Sequence, residues 1–229
     1  MESENKYDNK VILVDKPLDW TSAKVINKLK KVFNIRKAGH SGTLDPRATG
    51  LLIVCTGKKT KIITGIIGAD KDYTGTFRIG ATTPTYDTES AEENTVDASL
   101  VTEEIIESAR KKFTGEILQT PPIHSAIKQN GKPVYKLARK GREVILEPRK
   151  VLINDFKVKQ ISMTEVEFFV SVSKGTYIRS LANDFGKEIG VGAYLKILRR
   201  TRIGRFDIKS IDDNVEELDG MKFTVLEDF

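Results

Sequence analysis

Residues 39–50 read Gly39-His40-Ser41-Gly42-Thr43-Leu44-Asp45-Pro46-Arg47-Ala48-Thr49-Gly50. Three glycines bracket the stretch, and glycine lets a backbone turn tightly and lie close to a ligand. Pro46 disfavours helical backbone at Asp45 and holds it extended, so that the carboxylate can project from the loop. One carboxylate, one imidazole and several hydroxyls without metal-ligand spacing suit nucleophilic or acid–base work. By spacing alone, Asp-Pro is first of all a turn dipeptide. On that plainer reading the stretch is a loop joining a helix to a strand.

Upstream, Val11–Val14 is expected as a short buried strand ended by Lys16-Pro17. A helix capped by Thr21 or Ser22 follows, with Val25, Ile26, Leu29, Val32 and Phe33 at helical spacing and Lys24, Lys28 and Lys31 on another face. Downstream, Leu51–Cys55 predicts a strand leading into a helix near 58–67. Lys71–Gly80 alternates Tyr73, Gly75, Phe77 and Ile79 against Asp72, Thr74, Thr76 and Arg78, the pattern of a half-buried strand. The acidic stretch 81–99 reads as a loop, and Val101 and Thr102 open a helix. Residues 119–142 are basic and punctuated by Pro121, Pro122, Gly131, Pro133 and Gly141, with a helical pattern at Val134–Arg139, and predict an inserted arm. Strands are expected near 143–159 and 164–173, then a helix after Gly175 burying Ile178, Leu181, Ala182, Phe185 and Ile189. A short helix over about 192–199 ends in Leu198-Arg199-Arg200. No repeat or low-complexity linker divides the chain, so the expectation is one α/β domain with a basic insertion.

The 229 residues are 39% hydrophobic and 31% charged, a balance that suits a folded chain and argues against intrinsic disorder. Apolar runs are far shorter than the roughly 20 residues of a bilayer-spanning helix, and the polar N-terminus holds no apolar signal core. The single cysteine, Cys55, excludes an intramolecular disulfide framework and a multi-cysteine zinc site. The expected setting is cytoplasmic, without membrane or metal. The net charge of +6 is unevenly spread: segments 16–37, 128–150 and 174–205 each carry +6, against −8 over 87–107 and −6 over 207–229. Any one basic stretch could be an ordinary solvated face. Three of them can converge on a polyanion.

The string around Asp45 resembles the catalytic motif of the TruB-type tRNA pseudouridine synthases, His-x-Gly-x-Leu-Asp-Pro-x-Ala-Thr-Gly. Other pieces fall in that family's order: Asp15-Lys16-Pro17 with Thr21-Ser22, Lys71-Asp72-Tyr73-Thr74-Gly75, Ser173-Lys174-Gly175-Thr176-Tyr177-Ile178-Arg179-Ser180-Leu181, and Leu198-Arg199-Arg200-Thr201. The resemblance covers roughly residues 10–206. The chain departs from it at Ser90, where the family's Asp-x-x-Gly has glycine, and with residues 207–229 reading as an acidic tail the expectation is a short form without the family's C-terminal PUA domain.

The resemblance implies a pseudouridine-synthase domain over 1–229, with a central mixed, largely antiparallel sheet flanked by helices and a thumb-like insertion at about 119–142. It implies Asp45 as the nucleophile that isomerises the position-55 uridine in the tRNA T arm, with no cofactor. Arg179 matches the arginine that pairs with that aspartate. Its placement is suggestive without the family. In the first turn of a helix capped by Thr176 the macrodipole disfavours a cation, and the side chain lies beside the apolar face. Tyr73 matches the tyrosine that stacks on the target uracil, although core packing with Phe77 and Ile79 also fits its strand pattern. Tyr177 and Leu198 match residues lining the uracil pocket, and His40 matches one that occupies space near the extruded nucleotide. Leu198, on its expected helix, would otherwise be plain core. The partner implied is the T-arm stem-loop, acted on by a monomer with no obligatory protein partner. Two other readings are a guide-RNA-dependent relative of dyskerin, which would rely on the PUA domain, and a non-catalytic tRNA-binding or folding protein.

Overall fold

The computed structural model describes residues 5–123, 125, 128–129, 132–133 and 146–226. In chain order the elements are β1 (Val11–Lys16), α1 (Ser22–Val32), β2 (Ala38–His40), β3 (Ala48–Thr56), α2 (Ile63–Gly68), β4 (Lys71–Ile79), α3 (Glu103–Lys112) and β5 (Gly115–Gln119). They continue with β6 (Lys128–Gln129), β7 (Lys132–Pro133), β8 (Arg149–Ser162), β9 (Glu165–Val172), α4 (Ile178–Glu188), β10 (Ala193–Ile203), β11 (Phe206–Asp207), β12 (Glu216–Leu218) and β13 (Met221–Leu226). The described residues fall into two compact units: those up to Thr74 with those from Leu198 on, and 75–197. β4 and β10 contribute to both.

In the first unit the strand order is β12-β13-β1-β3-β10, with β2 on β3 and β11 on β10. β3 pairs in parallel with β10 and antiparallel with β1 and β2, so the sheet is mixed. Val11–Val14 is an unbroken apolar run because both faces of β1 are covered. Val11 and Leu13 pack with Leu51, Ile53, Ile66 and Ile211. Ile12 and Val14, pointing the other way, pack with Val25 and Leu29 of α1 and with Met221 and Phe223 of β13. Residues expected as an acidic tail therefore supply a strand of this core. Thr21 caps α1, accepting from the Lys24 amide at 3.0 Å.

In the second unit β4, β9, β8 and β5 lie side by side in that order, with β9–β8 and β8–β5 antiparallel. Inward Phe77 and Phe168 stack at 4.3 Å, and Phe156 and Phe185 meet edge-on at 6.1 Å, which seats α4 by its Phe185. Thr102 caps α3 by accepting from the Ile105 amide. Both units are helix-flanked sheets, as the sequence predicts for the fold class. In the segment expected as a basic arm β6 and β7 pair antiparallel; the helical pattern at Val134–Arg139 lies outside the described residues.

Two local expectations are corrected. Residues 193–203 form a strand rather than the short helix expected over about 192–199, so Leu198 sits on a sheet. Leu195-Lys196-Ile197-Leu198-Arg199-Arg200 is rich in helix formers, but parallel pairing of Leu198–Arg200 with Ala48–Gly50 overrides that preference. The N-cap of α4 is Tyr177, with no side-chain cap. Thr176 instead donates its hydroxyl to the Ser173 carbonyl at 3.0 Å.

Candidate active site

The glycine-framed stretch starts as a strand. Gly39 and His40 of β2 pair with Cys55 and Val54, and the Ser41 amide donates to the Ile53 carbonyl. Past Gly42 the chain leaves the sheet and is fastened at the residues flanking Asp45. On one side the Ser22 hydroxyl accepts from the Leu44 amide at 2.9 Å and donates to the Leu44 carbonyl at 3.2 Å. On the other, the Pro46 carbonyl accepts from the Asp19 amide at 2.9 Å and from Lys16 Nζ at 3.4 Å. Asp45 is thus held on a short turn between two clamps, closed by the Ala48 amide donating to its carbonyl.

Lys16 is fully buried and spends its ammonium on the carbonyls of Pro17, Trp20 and Pro46. Burial pushes its pKa down to about 8, with the Asp45 and Asp19 carboxylates pulling it back up and Arg200 opposing them. Arg200, on β10, is 1% exposed. Its Nε donates to the Leu51 carbonyl at 2.8 Å and its Nη2 to the Gly42 carbonyl at 3.1 Å. Burial lowers its pKa, against the opposing pull of the Tyr73 phenol, to which it hydrogen-bonds, and the Asp45 carboxylate. An arginine stays protonated under such a shift, so a permanent cation sits beneath the loop. Its neighbour Arg199 turns the other way and grips Asp15 through two contacts at 2.7 and 3.0 Å.

The first unit gathers four of the residues singled out from sequence around that cation. Asp45 and Tyr73 both interact with Arg200, and Tyr73 is buried. His40 has a pKa lowered by burial and by the Arg200 charge. The Gly42 amide donates to its Nδ1 at 3.2 Å, so the neutral ring that accepts there carries its proton on Nε2. Leu198 is two residues from Arg200 on the same strand, and the Thr49 hydroxyl donates to its carbonyl. Tyr177 and Arg179 belong to the second unit. Gln119 holds Tyr177 through both its amide (2.7 Å) and its carbonyl (3.1 Å), and the Arg149 guanidinium lies 4.9 Å from the tyrosine ring centroid. Arg179 is 6% exposed, which excludes a solvated surface side chain. Its Nη1 donates to the Thr85 carbonyl at 3.3 Å and its Nε lies 3.7 Å from Asp87 Oδ2. The acidic loop thus supplies the charge compensation that a cation in the first turn of α4 needs.

Residues 30–178 match the family model described as TruB family pseudouridylate synthase, N-terminal domain. The chain belongs to the TruB family. It is 48% identical over 220 residues to the tRNA pseudouridine synthase B of Flavobacterium johnsoniae, covering 93% of this chain and 96% of that one. The same-named protein of Chlorobaculum tepidum is 46% identical, with 90% of each chain covered. Among solved structures, a chain of a Cbf5–Nop10–Gar1 complex is similar with a TM-score of 0.68 and 34% identity, over 88% of this chain and 50% of that chain. An H/ACA RNP bound to a substrate RNA containing 2′-deoxyuridine matches with a TM-score of 0.66 and 32% identity, over 88% of this chain and 49% of that one. This TruB chain therefore spans about half of each of those solved chains.

Sequence reasoning on the TruB motifs missed Lys16 and Arg200 around Asp45 in the first unit and, separately, Thr85 and Asp87 around Arg179 in the second. For Arg200 a signal existed. Side chains two apart on a strand share a face, so reading Leu198–Thr201 as a strand places Arg200 on the same face as Leu198. The helix reading hid it.

Proposed function

We propose that this chain isomerises uridine to pseudouridine in tRNA, at the position-55 uridine of the T arm, acting as a monomer in the cytoplasm without cofactor or protein partner. The observation that supports this best is the double fastening of Asp45 beside the buried Arg200 and Tyr73. A carboxylate on a rigid turn beside a fixed cation is ionised and already oriented, so little reorganisation precedes attack. Asp45 attacks the uridine at uracil C6 or at ribose C1′; both routes use the same carboxylate as nucleophile and leaving group. The N1–C1′ bond breaks, the uracil turns, C5 bonds to C1′, the C5 proton is lost and N1 takes up a proton, so that the product is an isomer of the substrate. Tyr73 stacks on the uracil and assists that proton loss, His40 and Leu198 bound the pocket, and Tyr177 is assigned to it through its place in the family motif. Arg179 is assigned to the catalytic set through its place in the arginine motif. Flipping a nucleotide out of a folded loop costs a few kcal/mol, offset by base stacking and by phosphate contacts from the basic segments.

The test is direct pseudouridine mapping of tRNA after incubation with the purified chain alone. Pseudouridine at position 55 is the expected product. Its absence, or its appearance only with an added protein or guide RNA, would overturn the reading. Size-exclusion chromatography with light scattering checks the monomer.

A further inference from the structure

Ser90 stands where the motif that the acidic loop resembles has glycine, so its side chain has no counterpart in that motif. Its hydroxyl is nevertheless engaged. Ser90 Oγ lies 2.8 Å from Thr85 Oγ1 and accepts from the Thr85 amide at 3.2 Å. Thr85 Oγ1 in turn donates to Asp87 Oδ1 at 2.6 Å, and the Glu89 amide donates to the same oxygen at 2.9 Å. Asp87, 4% exposed, then offers Oδ2 to Arg179.

Proton counting gives this chain a direction. A threonine hydroxyl has one proton, and the short contact to a carboxylate claims it. The proton between the two hydroxyls therefore comes from Ser90, and the run is Ser90 O–H to Thr85 O–H to the Asp87 carboxylate, each link polarising the next. Thr85 also touches the arginine directly, because its carbonyl accepts from Arg179 Nη1. The peptide between Thr85 and Asp87 is under strain: Tyr86 sits at φ 62°, left-handed backbone that a tyrosine rarely adopts. Such a turn needs external ties, and Ser90 ties down the residue on its N-terminal side.

We propose that Ser90 is a positioning residue for the isomerisation, clamping Thr85 so that its hydroxyl orients Asp87 and its carbonyl orients Arg179. The assignment rests on the reading of the chain as a tRNA pseudouridine synthase.

The experiment measures the single-turnover rate of pseudouridine formation at saturating tRNA, together with tRNA Kd and the thermal midpoint. The proteins compared are wild type, Ser90→Ala, Thr85→Val and the double variant. Ser90→Ala is expected to lose about tenfold in rate with Kd and midpoint close to wild type, since Ser90 acts on the orientation of Arg179 and not on the RNA backbone. In the Thr85→Val background the alanine is expected to cost clearly less than in wild type, because the hydroxyl link to Asp87 is gone while the Thr85 amide still reaches Ser90 Oγ. A wild-type rate in Ser90→Ala overturns the proposal, as does the same tenfold loss on top of Thr85→Val or a loss that tracks the midpoint. A wild-type chain that forms no pseudouridine overturns the functional reading and this proposal together; an active wild type with an indifferent Ser90→Ala overturns only the latter.

Discussion

Replacing Arg200 by methionine tests whether the loop that carries Asp45 is held from beneath by this guanidinium. The side chain is 1% exposed, and two of its nitrogens satisfy the Leu51 and Gly42 carbonyls. Methionine fills most of the volume but donates nothing, so two buried acceptors lose their partners, at about 1–3 kcal/mol each. Relief of the arginine's own desolvation offsets part of this. The net loss of stability is expected at about 2–4 kcal/mol, read as a lower urea midpoint with an unchanged slope. The second effect is electrostatic. Arg200 and the Asp45 carboxylate attract each other, so removing the guanidinium is expected to move the acid limb of the single-turnover pH–rate profile upward. Loosening of the Gly42 end of the loop adds a fall in rate at pH 7 of about a hundredfold. Arg200→Lys keeps the charge and loses the fork, so its acid limb should lie near that of wild type while its rate stays low. A methionine variant with the wild-type rate and an unmoved acid limb would refute the reasoning and leave Arg200 as packing alone.

Asp45→Asn should abolish isomerisation while tRNA affinity stays within about tenfold, roughly 1.4 kcal/mol, because phosphate and shape contacts carry binding; turnover by the purified variant removes Asp45 as nucleophile. Gly50→Ala should cost more than about 2 kcal/mol in urea unfolding, since Gly50 sits at φ 100° and an added Cβ would lie 2.3 Å from the Arg200 carbonyl oxygen; an unchanged midpoint contradicts it. Lys16 and Lys71 both have folded pKa values lowered to about 8 from 10.5. Between those values the unfolded chain binds more protons, so the contribution of each to stability increases from pH 8 toward 10.5, by up to about 3 kcal/mol. Lys16→Met should therefore show a smaller gain, or a steeper loss, than wild type between pH 7.5 and 9.5, and identical pH dependences would rule the shift out. Treatment with EDTA should leave activity on correctly folded T-arm RNA intact; a loss reversed only by one divalent ion, with the RNA structure unchanged, would count against the metal-free reading.

The amino-acid sequence determined the elements whose burial is periodic and local. Val25 and Leu29 mark α1, the alternation of Val166, Phe168, Val170 and Val172 marks β9, and Thr21 and Thr102 cap their helices as their positions suggest. It also brought Asp45 forward, through the resemblance of residues 39–50 to the TruB motif, whereas the Asp-Pro spacing alone reads first as a turn. What it left undecided depends on partners far away in the chain. β10 is a strand only because Ala48–Gly50 lie alongside it, and the residues after Asp207 join the core only because β13 pairs with β1. Arg200 shows the reason most clearly. A charged side chain defaults to solvent, since burying it alone costs several kcal/mol. Only the tertiary structure brings in the Leu51 and Gly42 carbonyls, 149 and 158 residues away, that make its burial tolerable.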